Sequence, residues 1–294
     1  MSFNNPDAQP APVTVGRWTV TPIIDAIGPA LPAHASFPSL PAEDLETLLN
    51  ELGDDASNPD RSMLVLASQG FAITGPDRTI LVDACLGGPK TLGGKGMRGF
   101  ESRWLASIAD AGIDINAIDT VVNTHLHHDH VGWNTVLDED GMLRPTFPKA
   151  RYLVPRADIE HFSGPGSLPQ KHIRDCITPL AQADVLDPID GELQLVEGIH
   201  VIPATGHTPG HQIVEIADAG QRVILTGDLL HHPLQLRRPD VSTALCVDGV
   251  ASAATRQKIL DHYADSGTWF YASHLPLGGI LRRDGDGYTL GTDA

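Results

Sequence analysis

Hydrophobic and polar positions along the chain change from the period of strands to that of helices and back. Val13 to Asp25 alternates in the way of one or two strands. Met63 to Ile73 and Thr79 to Val82 are apolar runs separated by the turn residues Gly75 to Arg78, which predicts a β-hairpin. Ala42 to Leu52 instead repeats leucine at spacings of three and four residues, and this spacing predicts an amphipathic helix.

The remainder of the chain continues this alternation of strands and helices. The predicted helices are a segment around Trp104 to Ala109, Arg156 to Phe162, His172 to Ala183, and Ala251 to Ser266. The predicted strands are Ile118 to Val122, Arg151 to Val154, short runs around Leu193, Val201, Ile213, Val223 and Phe270, and a terminal hairpin from Ile280 to Leu290. Since two halves each place strands before helices, the pattern favours a layered α/β architecture in which helices cover a pair of sheets.

Two segments lie outside the predicted strands and helices or interrupt them: a short N-terminal tail and one insertion. Residues 1–12 are rich in Pro, Ala and Asn, so a disordered tail is predicted there. Residues 13–294 are predicted to form a single domain, with a Pro-rich insertion at about residues 26–60 that could lie over a pocket. The N-terminal residues lack a basic and an apolar leader region, and no later run is long enough to span a bilayer, so a cytoplasmic protein is expected.

Composition excludes several classes of partner. The 294 residues, 41% of them hydrophobic, are enough for a sizeable core. The 37 acidic and 20 basic residues give a formal net charge of −17, which repels nucleic-acid phosphates and anionic membrane surfaces, so neither partner is expected. Cys85, Cys176 and Cys246 lie far apart and form no C-x-x-C pair, and they are interpreted as reduced core cysteines rather than zinc ligands.

A cluster of metal-ligand side chains follows the strand predicted at Ile118 to Val122. His125, His127, Asp129 and His130 occupy four of six consecutive positions. On one continuous helix they would point in several directions. If the segment is instead a strand end followed by a helix, the side chains of His125 and His127 lie on the same side of the strand. The turn into the helix then brings Asp129 and His130 toward them. The pattern therefore predicts a metal site, because imidazole and carboxylate groups are zinc ligands.

Ligands within six residues cannot surround two ions, so further ligands are expected later in the chain. Three polar segments follow predicted strands and are candidates: Thr205 to His211, Thr226 to Asp228, and Ser273 with His274. Turns that glycine permits at strand ends can bring such side chains into one cleft. The sequence thus predicts a site assembled from four separate segments.

Together with the hairpin that ends at Asp83, these motifs resemble, in the same order, those of the metallo-β-lactamase fold superfamily. The resemblance covers most of the chain and implies an αββα sandwich of two mixed β-sheets flanked by helices. It also implies two groups of metal ligands: His125, His127 and His207 for one ion, Asp129, His130 and His274 for the other, and Asp228 as a bridge between them. Two divalent ions per chain are expected, zinc in the first place, with Mn, Fe or Co as alternatives.

Within this superfamily the chain resembles most the group of acyl-homoserine lactonases and methyl parathion hydrolase. The resemblance lies in the early strand Trp18 to Asp25, the Pro-rich insertion and the late segment Ala272 to Pro276. Cysteine-ligand β-lactamases do not fit, since Asp228 stands at the position of their thiolate, and nucleases fit poorly with a charge of −17. Glyoxalase II shares the ligand set, but its basic thioester-binding residues are not recognisable. The resemblance also implies a homodimer.

The implied activity is hydrolysis of an ester-type bond in a small molecule, in the first place a lactone, by a hydroxide that bridges the two ions. Phosphotriester and thioester hydrolysis use the same chemistry and remain alternatives. A mononuclear iron persulfide dioxygenase is a further alternative, and the retained second ligand group of Asp129, His130 and His274 argues against it.

Four residues near the predicted metal site have further expected roles. Asp129 or His231 is expected to protonate the leaving group. His231 stands three residues after Asp228, where many of the lactonases carry a tyrosine that contacts the substrate. Asp83 is expected to support the histidine-rich segment, as carboxylates do behind metal-bound imidazoles. His211 is expected to brace the neighbouring turn.

Overall fold

The computed structural model of the chain describes residues 10–90, 102–164 and 170–291. The strands, in chain order, are β1 (Val13–Val15), β2 (Trp18–Pro32), β3 (Met63–Thr74), β4 (Thr79–Val82), β5 (Thr120–Val122), β6 (Thr135–Leu137), β7 (Leu143–Pro145), β8 (Arg151–Pro155), β9 (Leu186–Ile189), β10 (Leu193–Val196), β11 (Ile199–Pro203), β12 (Gln212–Asp218), β13 (Gln221–Leu225), β14 (Trp269–Tyr271), β15 (Gly279–Asp284) and β16 (Gly287–Gly291). Most of the tail predicted at residues 1–12 lies outside the described residues.

The helices are distributed between and after these strands. In chain order they are α1 (Ala33–Ser36), α2 (Ala42–Leu52), α3 (Trp104–Asp110), α4 (His128–Val131), α5 (Arg156–Phe162), α6 (Lys171–Cys176), α7 (Thr178–Gln182), α8 (Leu234–Arg237) and α9 (Gly249–Tyr263), with short 3-10 turns at Gly132–Asn134 and Gly227–Leu229. Helices α2 and α5 have the bounds that the sequence predicts.

The strands form two seven-stranded sheets and a separate hairpin of β6 and β7. The first sheet has the order β1-β2-β3-β4-β5-β8-β9, and it is antiparallel as far as β4 and parallel from there. The second has the order β10 to β16 without a change, and only its β13–β14 pair is parallel. Both large sheets are therefore mixed.

Alternate residues of the central strands face opposite layers, as the two-residue period of a strand requires. Val122 of β5 packs between the sheets with Val214 and Leu225 of the second sheet, whereas its neighbour Val121 packs with residues of helix α3. In the second sheet, Ile224 packs with residues of helix α9. The predicted arrangement, two mixed sheets flanked by helices, is confirmed.

The second strand is longer than the sequence pattern predicts. It continues past Asp25 and pairs with β3 as far as Pro32, which lies opposite Met63. Two register shifts interrupt this pairing, and such irregularities allow proline within a strand. The first part of the Pro-rich segment is therefore an extension of the sheet.

The helix predicted from His172 to Ala183 is instead two helices, α6 and α7. Pro179 lies in the first turn of α7, and Ile177, between the two helices, has a φ of −118°, whereas a regular α-helix has a φ of about −63°. Proline has no N–H to continue the hydrogen bonds of a preceding helix, so the chain starts a new one. The β6–β7 hairpin and strand β9 fall outside the predicted elements, because runs of three or four residues show little periodicity.

Candidate metal centre

The segments that carry the predicted ligands leave the ends of central strands. His125 follows β5, His207 follows β11, Asp228 follows β13 and His274 follows β14. Because β5 runs parallel to β4, and β13 parallel to β14, neighbouring segments leave at the same edge of each sheet. Packing of the two sheets then brings these segments together.

His125, His127 and His207 form a first group of ligand atoms. Nε2 of His125 lies 3.0 Å from Nδ1 of His127 and 3.1 Å from Nε2 of His207. The ligand nitrogens of His127 and His207 are 2.8 Å apart. Ligands bound tetrahedrally to zinc at about 2.0–2.1 Å lie about 3.3 Å from one another, which is close to these separations. Oδ2 of Asp228 lies 3.2 Å from Nε2 of His207 and joins this group.

Asp129, His130 and His274 form a second group, and Asp228 contacts it as well. Oδ1 of Asp228 lies 3.1 Å from Nε2 of His130 and 3.2 Å from Nε2 of His274. Oδ2 of Asp129 is 3.7 Å from Nε2 of His274. The ligand atoms within each group lie within 4.8 Å of one another. The structure thus brings together all seven residues that the sequence predicts, with Asp228 shared between the groups.

The buried polar atoms of this cluster fit a divalent cation. Nε2 of His130 and Oδ1 of Asp228 lie 3.1 Å apart but form no hydrogen bond with each other or with any other described residue, and both side chains are buried. Buried polar atoms in folded proteins are nearly always paired, and imidazole and carboxylate groups are typical zinc ligands. A bound ion would satisfy both atoms.

Burial and mutual contact set the protonation of the cluster. Burial lowers the pKa of His127 to about 3 and holds the pKa of His125 well below its usual value, so both imidazoles are neutral, as metal ligands must be. Burial also opposes the charged form of His274, but the carboxylates of Asp228 and Asp129 outweigh it and raise its pKa to about 9. Against the effect of burial, the surrounding histidines hold the pKa of Asp228 well below its usual value. The shared carboxylate is therefore anionic.

Asp83, directly after β4, holds the histidine-rich segment in place. Its carboxylate accepts hydrogen bonds of 2.8 Å from the backbone N–H and the hydroxyl of Thr124. It accepts a third, also of 2.8 Å, from Nδ1 of His130, which leaves Nε2 of that ring toward Asp228. The predicted supporting contact of Asp83 is confirmed.

His211 connects the His207 turn to the segment of Asp228. Nδ1 of His211 donates to the carbonyl oxygen of Ala204 at 2.8 Å, so Nε2 is free to accept the backbone N–H of Asp228 at 3.1 Å. Both ring nitrogens are thereby used within the protein, and the predicted bracing role of His211 is confirmed. A side chain at Gly227 would meet His211 and Thr124 at under 3.0 Å, which explains the glycine there.

Asp158 is a supporting residue that sequence reasoning missed. It lies on α5, is fully buried, and accepts hydrogen bonds from the backbone N–H groups of Leu126 at 2.9 Å and Gly210 at 2.7 Å. It also accepts one from the hydroxyl of Thr208 at 2.9 Å. Burial raises its pKa, although these bonds oppose the shift. Asp158 therefore ties the segment of His125 and His127 to the turn of His207.

An apolar cavity of about 490 Å³ opens beside the cluster. Its wall includes His127, Asp129, Asp228 and His274 together with residues of the extended strand β2. His231 does not line it. That ring is buried, with Nε2 at 3.3 Å from Oδ2 of Asp228, and neither ring nitrogen has a hydrogen-bond partner among the described residues.

A sequence profile assigns the chain to a family. The sequence profile of the metallo-beta-lactamase superfamily matches residues 65–279, which is more than half of the chain. The chain belongs to the metallo-beta-lactamase superfamily. In the part of the chain that the structure describes, no helix has both the length and the apolar character needed to cross a membrane.

Two groups of known proteins are similar to this chain. An N-acyl homoserine lactonase of a Bacillus species is 29% identical over 110 residues, which are 37% of this chain and 37% of that protein. An N-acyl homoserine lactonase of Bacillus thuringiensis is 25% identical over 130 residues, which are 44% of this chain and 45% of that protein. The matched region thus spans less than half the length of these curated relatives.

The solved structures extend the similarity of fold to nearly the whole chain. The hydrolase AbOPH of the beta lactamase superfamily aligns with a TM-score of 0.78 and 23% identity, over 96% of this chain and 97% of that one. AidC, described as a dizinc quorum-quenching lactonase, aligns with a TM-score of 0.77 and 20% identity, over 97% of both chains. At these identities the similarity shows the shared fold.

Proposed function

We propose that the protein is a hydrolase that uses two metal ions, with zinc as the preferred metal. It cleaves an ester-type bond, and its proposed substrate is a lactone. His125, His127 and His207 would hold one ion, Asp129, His130 and His274 would hold the other, and Asp228 would contribute to both sites. The observation that carries the proposal is the contact of Asp228 with both ligand groups in the wall of an apolar cavity. The curated relatives named N-acyl homoserine lactonases support the same class. A homodimer is also proposed, by resemblance to the lactonase group alone.

The side chains around the cavity support such a reaction. When bound, the ions supply an activated water and polarise the carbonyl oxygen of the substrate. Asp129 lines the cavity, and its pKa is lowered, against burial, chiefly by His130, His128 and His274. It is therefore an anionic carboxylate that can take the proton of the attacking water and return it to the leaving oxygen.

The cavity favours a neutral substrate with an apolar chain. Its wall contains Ile27, Leu31, Leu66, Leu86 and Leu245, and none of the described lining residues is a lysine or an arginine. An anionic substrate such as a glutathione thioester would find no lysine or arginine there, and the net charge of −17 would repel it. A lactone with an apolar acyl chain meets the polar cluster with its ester group and the apolar wall with its chain.

Metal analysis combined with a hydrolysis screen tests this function. Protein purified without chelator is expected to contain about two divalent ions per chain, because seven ligand residues exceed the needs of one tetrahedral ion. It should hydrolyse acyl-homoserine lactones faster than aryl esters, phosphotriesters and glutathione thioesters, and a chelator should abolish turnover. A reproducible content of one iron, with oxygen consumption and no hydrolysis, would overturn the proposal.

His231 is proposed to donate a hydrogen bond to the substrate because it stands three residues after Asp228, where many of the lactonases carry a tyrosine that contacts the substrate. Its Nε2 lies 3.3 Å from Oδ2 of Asp228. His231→Phe is expected to leave the metal content unchanged and to lower kcat/KM by about ten- to a thousandfold, as for one lost donor. Tyrosine at this position should restore part of the loss. Elemental analysis and steady-state kinetics measure both effects.

The control for this variant is His262→Phe, the same change at an exposed histidine on α9, and it should be silent. His232 is unsuitable as the control, because it is fully buried and its Nε2 donates to the carbonyl oxygen of Ala56 at 2.8 Å. Full activity of His231→Phe would show that His231 is not a donor. If His231→Phe loses metal together with activity, His231 supports the metal site through its contact with Asp228 and is not a substrate donor.

A further inference from the structure

Three of the proposed histidine ligands are oriented in the same way, by a hydrogen bond from the ring nitrogen that faces away from the cluster. His125, His130 and His274 each direct Nε2 to the cluster while Nδ1 donates to an oxygen atom. These acceptors are Oγ1 of Thr124 (3.1 Å), Oδ2 of Asp83 (2.8 Å) and the carbonyl oxygen of Ala67 (2.8 Å). A hydrogen bond of this kind fixes the tautomer and the ring orientation of a metal-ligating histidine.

His207 differs from these three, because the partner of its Nδ1 is a sulfur atom. Sγ of Cys246 lies 3.6 Å from Nδ1 of His207, a distance at which a sulfur can accept a hydrogen bond weakly. Among the described residues no oxygen takes this place. Nε2 of His207 points to His125 and His127, as a ligand atom should.

We propose that Cys246 is a positioning residue for His207: its sulfur accepts the Nδ1–H and keeps Nε2 directed at the metal. The inference rests on the metal site proposed above. It assigns Cys246 to the support of the site, although the sequence pattern alone indicates a core cysteine. The three oxygen acceptors behind the other histidines are the precedent for this role within the same protein.

The direction of the hydrogen bonds around Cys246 agrees with an acceptor role. Arg256 can only donate; it is fully buried and its Nη2 donates to Oγ of Ser252 at 3.1 Å. The thiol of Cys246 donates to the same Oγ at 3.4 Å. With its single hydrogen directed at Ser252, the sulfur presents lone pairs to His207, whose Nδ1–H can then donate to it.

Backbone hydrogen bonds keep the segments of Cys246 and His207 next to each other. The N–H of Val247 donates to the carbonyl oxygen of His207 at 2.8 Å, and the N–H of Asp248 donates to that of Gly206 at 3.0 Å. Gly206 has a φ of +130°, and a Cβ there would lie 2.3 Å from the backbone nitrogen of Ser252. The glycine therefore allows the His207 turn to lie directly against the start of α9, and Cys246 cannot move away from His207 without breaking these contacts.

The experiment compares zinc binding by the wild type, Cys246→Ala and Cys246→Ser, with full-length protein and competition against a chelator. Alanine removes the acceptor and is expected to weaken one of the two zinc sites by about ten- to a hundredfold, the usual effect of a lost outer partner. Serine keeps an acceptor atom and should restore part of this affinity. The thermal unfolding of the zinc-free proteins should be the same for all three.

Cys176→Ala is the matched control, since Cys176 is a buried cysteine whose sulfur contacts the carbonyl oxygen of Gly132 and none of the proposed ligands. It should bind zinc as the wild type does. If Cys246→Ala also binds two zinc ions with wild-type affinity, or if both sites weaken and the zinc-free variant unfolds earlier, the positioning role is wrong. A wild type that binds no metal at all would instead refute the proposed function.

Discussion

Replacing Asp228 with alanine is expected to remove metal from both ligand groups at once and to lower kcat/KM by roughly a thousandfold or more. The two carboxylate oxygens of Asp228 lie within 3.2 Å of ligand nitrogens of His207, His130 and His274. The variant would therefore lose the anionic group that both sites share, and the remaining histidines would face one another without it. Elemental analysis of the purified variant and kinetics on the best substrate measure the two effects.

His274→Ala provides the comparison for this prediction. His274 contacts Asp228 and Asp129, so its loss should chiefly weaken the second site and leave close to one ion per chain. Activity should fall, because one site alone lacks the partner ion, but the first site should keep its metal. Equal and mild losses of metal from the two variants would contradict the assigned roles.

Replacing Asp158 with alanine is expected to lower the free energy of unfolding by about 3 to 5 kcal/mol, although Asp158 is not a metal ligand. The substitution leaves two buried backbone N–H groups, those of Leu126 and Gly210, and the hydroxyl of Thr208 without their acceptor. Metal affinity should fall as well, because these groups fix the segments of three proposed ligands. Denaturant unfolding of metal-free protein and zinc competition measure the two consequences separately.

Glu160→Ala is the control for Asp158→Ala. Glu160 lies on the same helix, α5, but is exposed, so its loss should change stability by at most about 0.5 kcal/mol. Should Asp158→Ala unfold at the same denaturant concentration as Glu160→Ala, the three hydrogen bonds would carry no net stability, and the two ligand segments would have to be held together by other contacts.

The sequence by itself determined which seven residues form the cluster of candidate ligands, and most of the secondary structure. His125, His127, Asp129 and His130 are recognisable as candidate ligands because metal-binding side chains at a strand end follow a short local spacing, and the later candidates stand in segments with their own turn residues. The strands of the two sheets are visible for a similar reason, since a buried strand produces a run of apolar residues. These signals are local, so no knowledge of distant contacts is needed to find them.

Other features were decided by the tertiary structure. The extension of β2 into the Pro-rich segment depends on pairing with β3, and this pairing supplies one wall of the cavity. The break between α6 and α7, by contrast, has a local cause in Pro179, which the spacing of apolar residues alone does not reveal. For β2 the local pattern permits a loop or a strand, and pairing with β3 selects the strand.

The residues that support the proposed metal site are the clearest case. Asp158 contacts Leu126 across 32 residues of sequence, and Cys246 contacts His207 across 39. Two of the three hydrogen bonds to Asp158 come from backbone N–H groups. Every residue except proline carries such a group, so the sequence does not reveal which residues bond to Asp158. Cys246 is spaced like any isolated core cysteine. The packing of the two sheets and α9 therefore decides which side chains form hydrogen bonds with the candidate ligands and their segments. Only in the packed structure do the hydrogen-bonding groups of distant segments come within reach of one another.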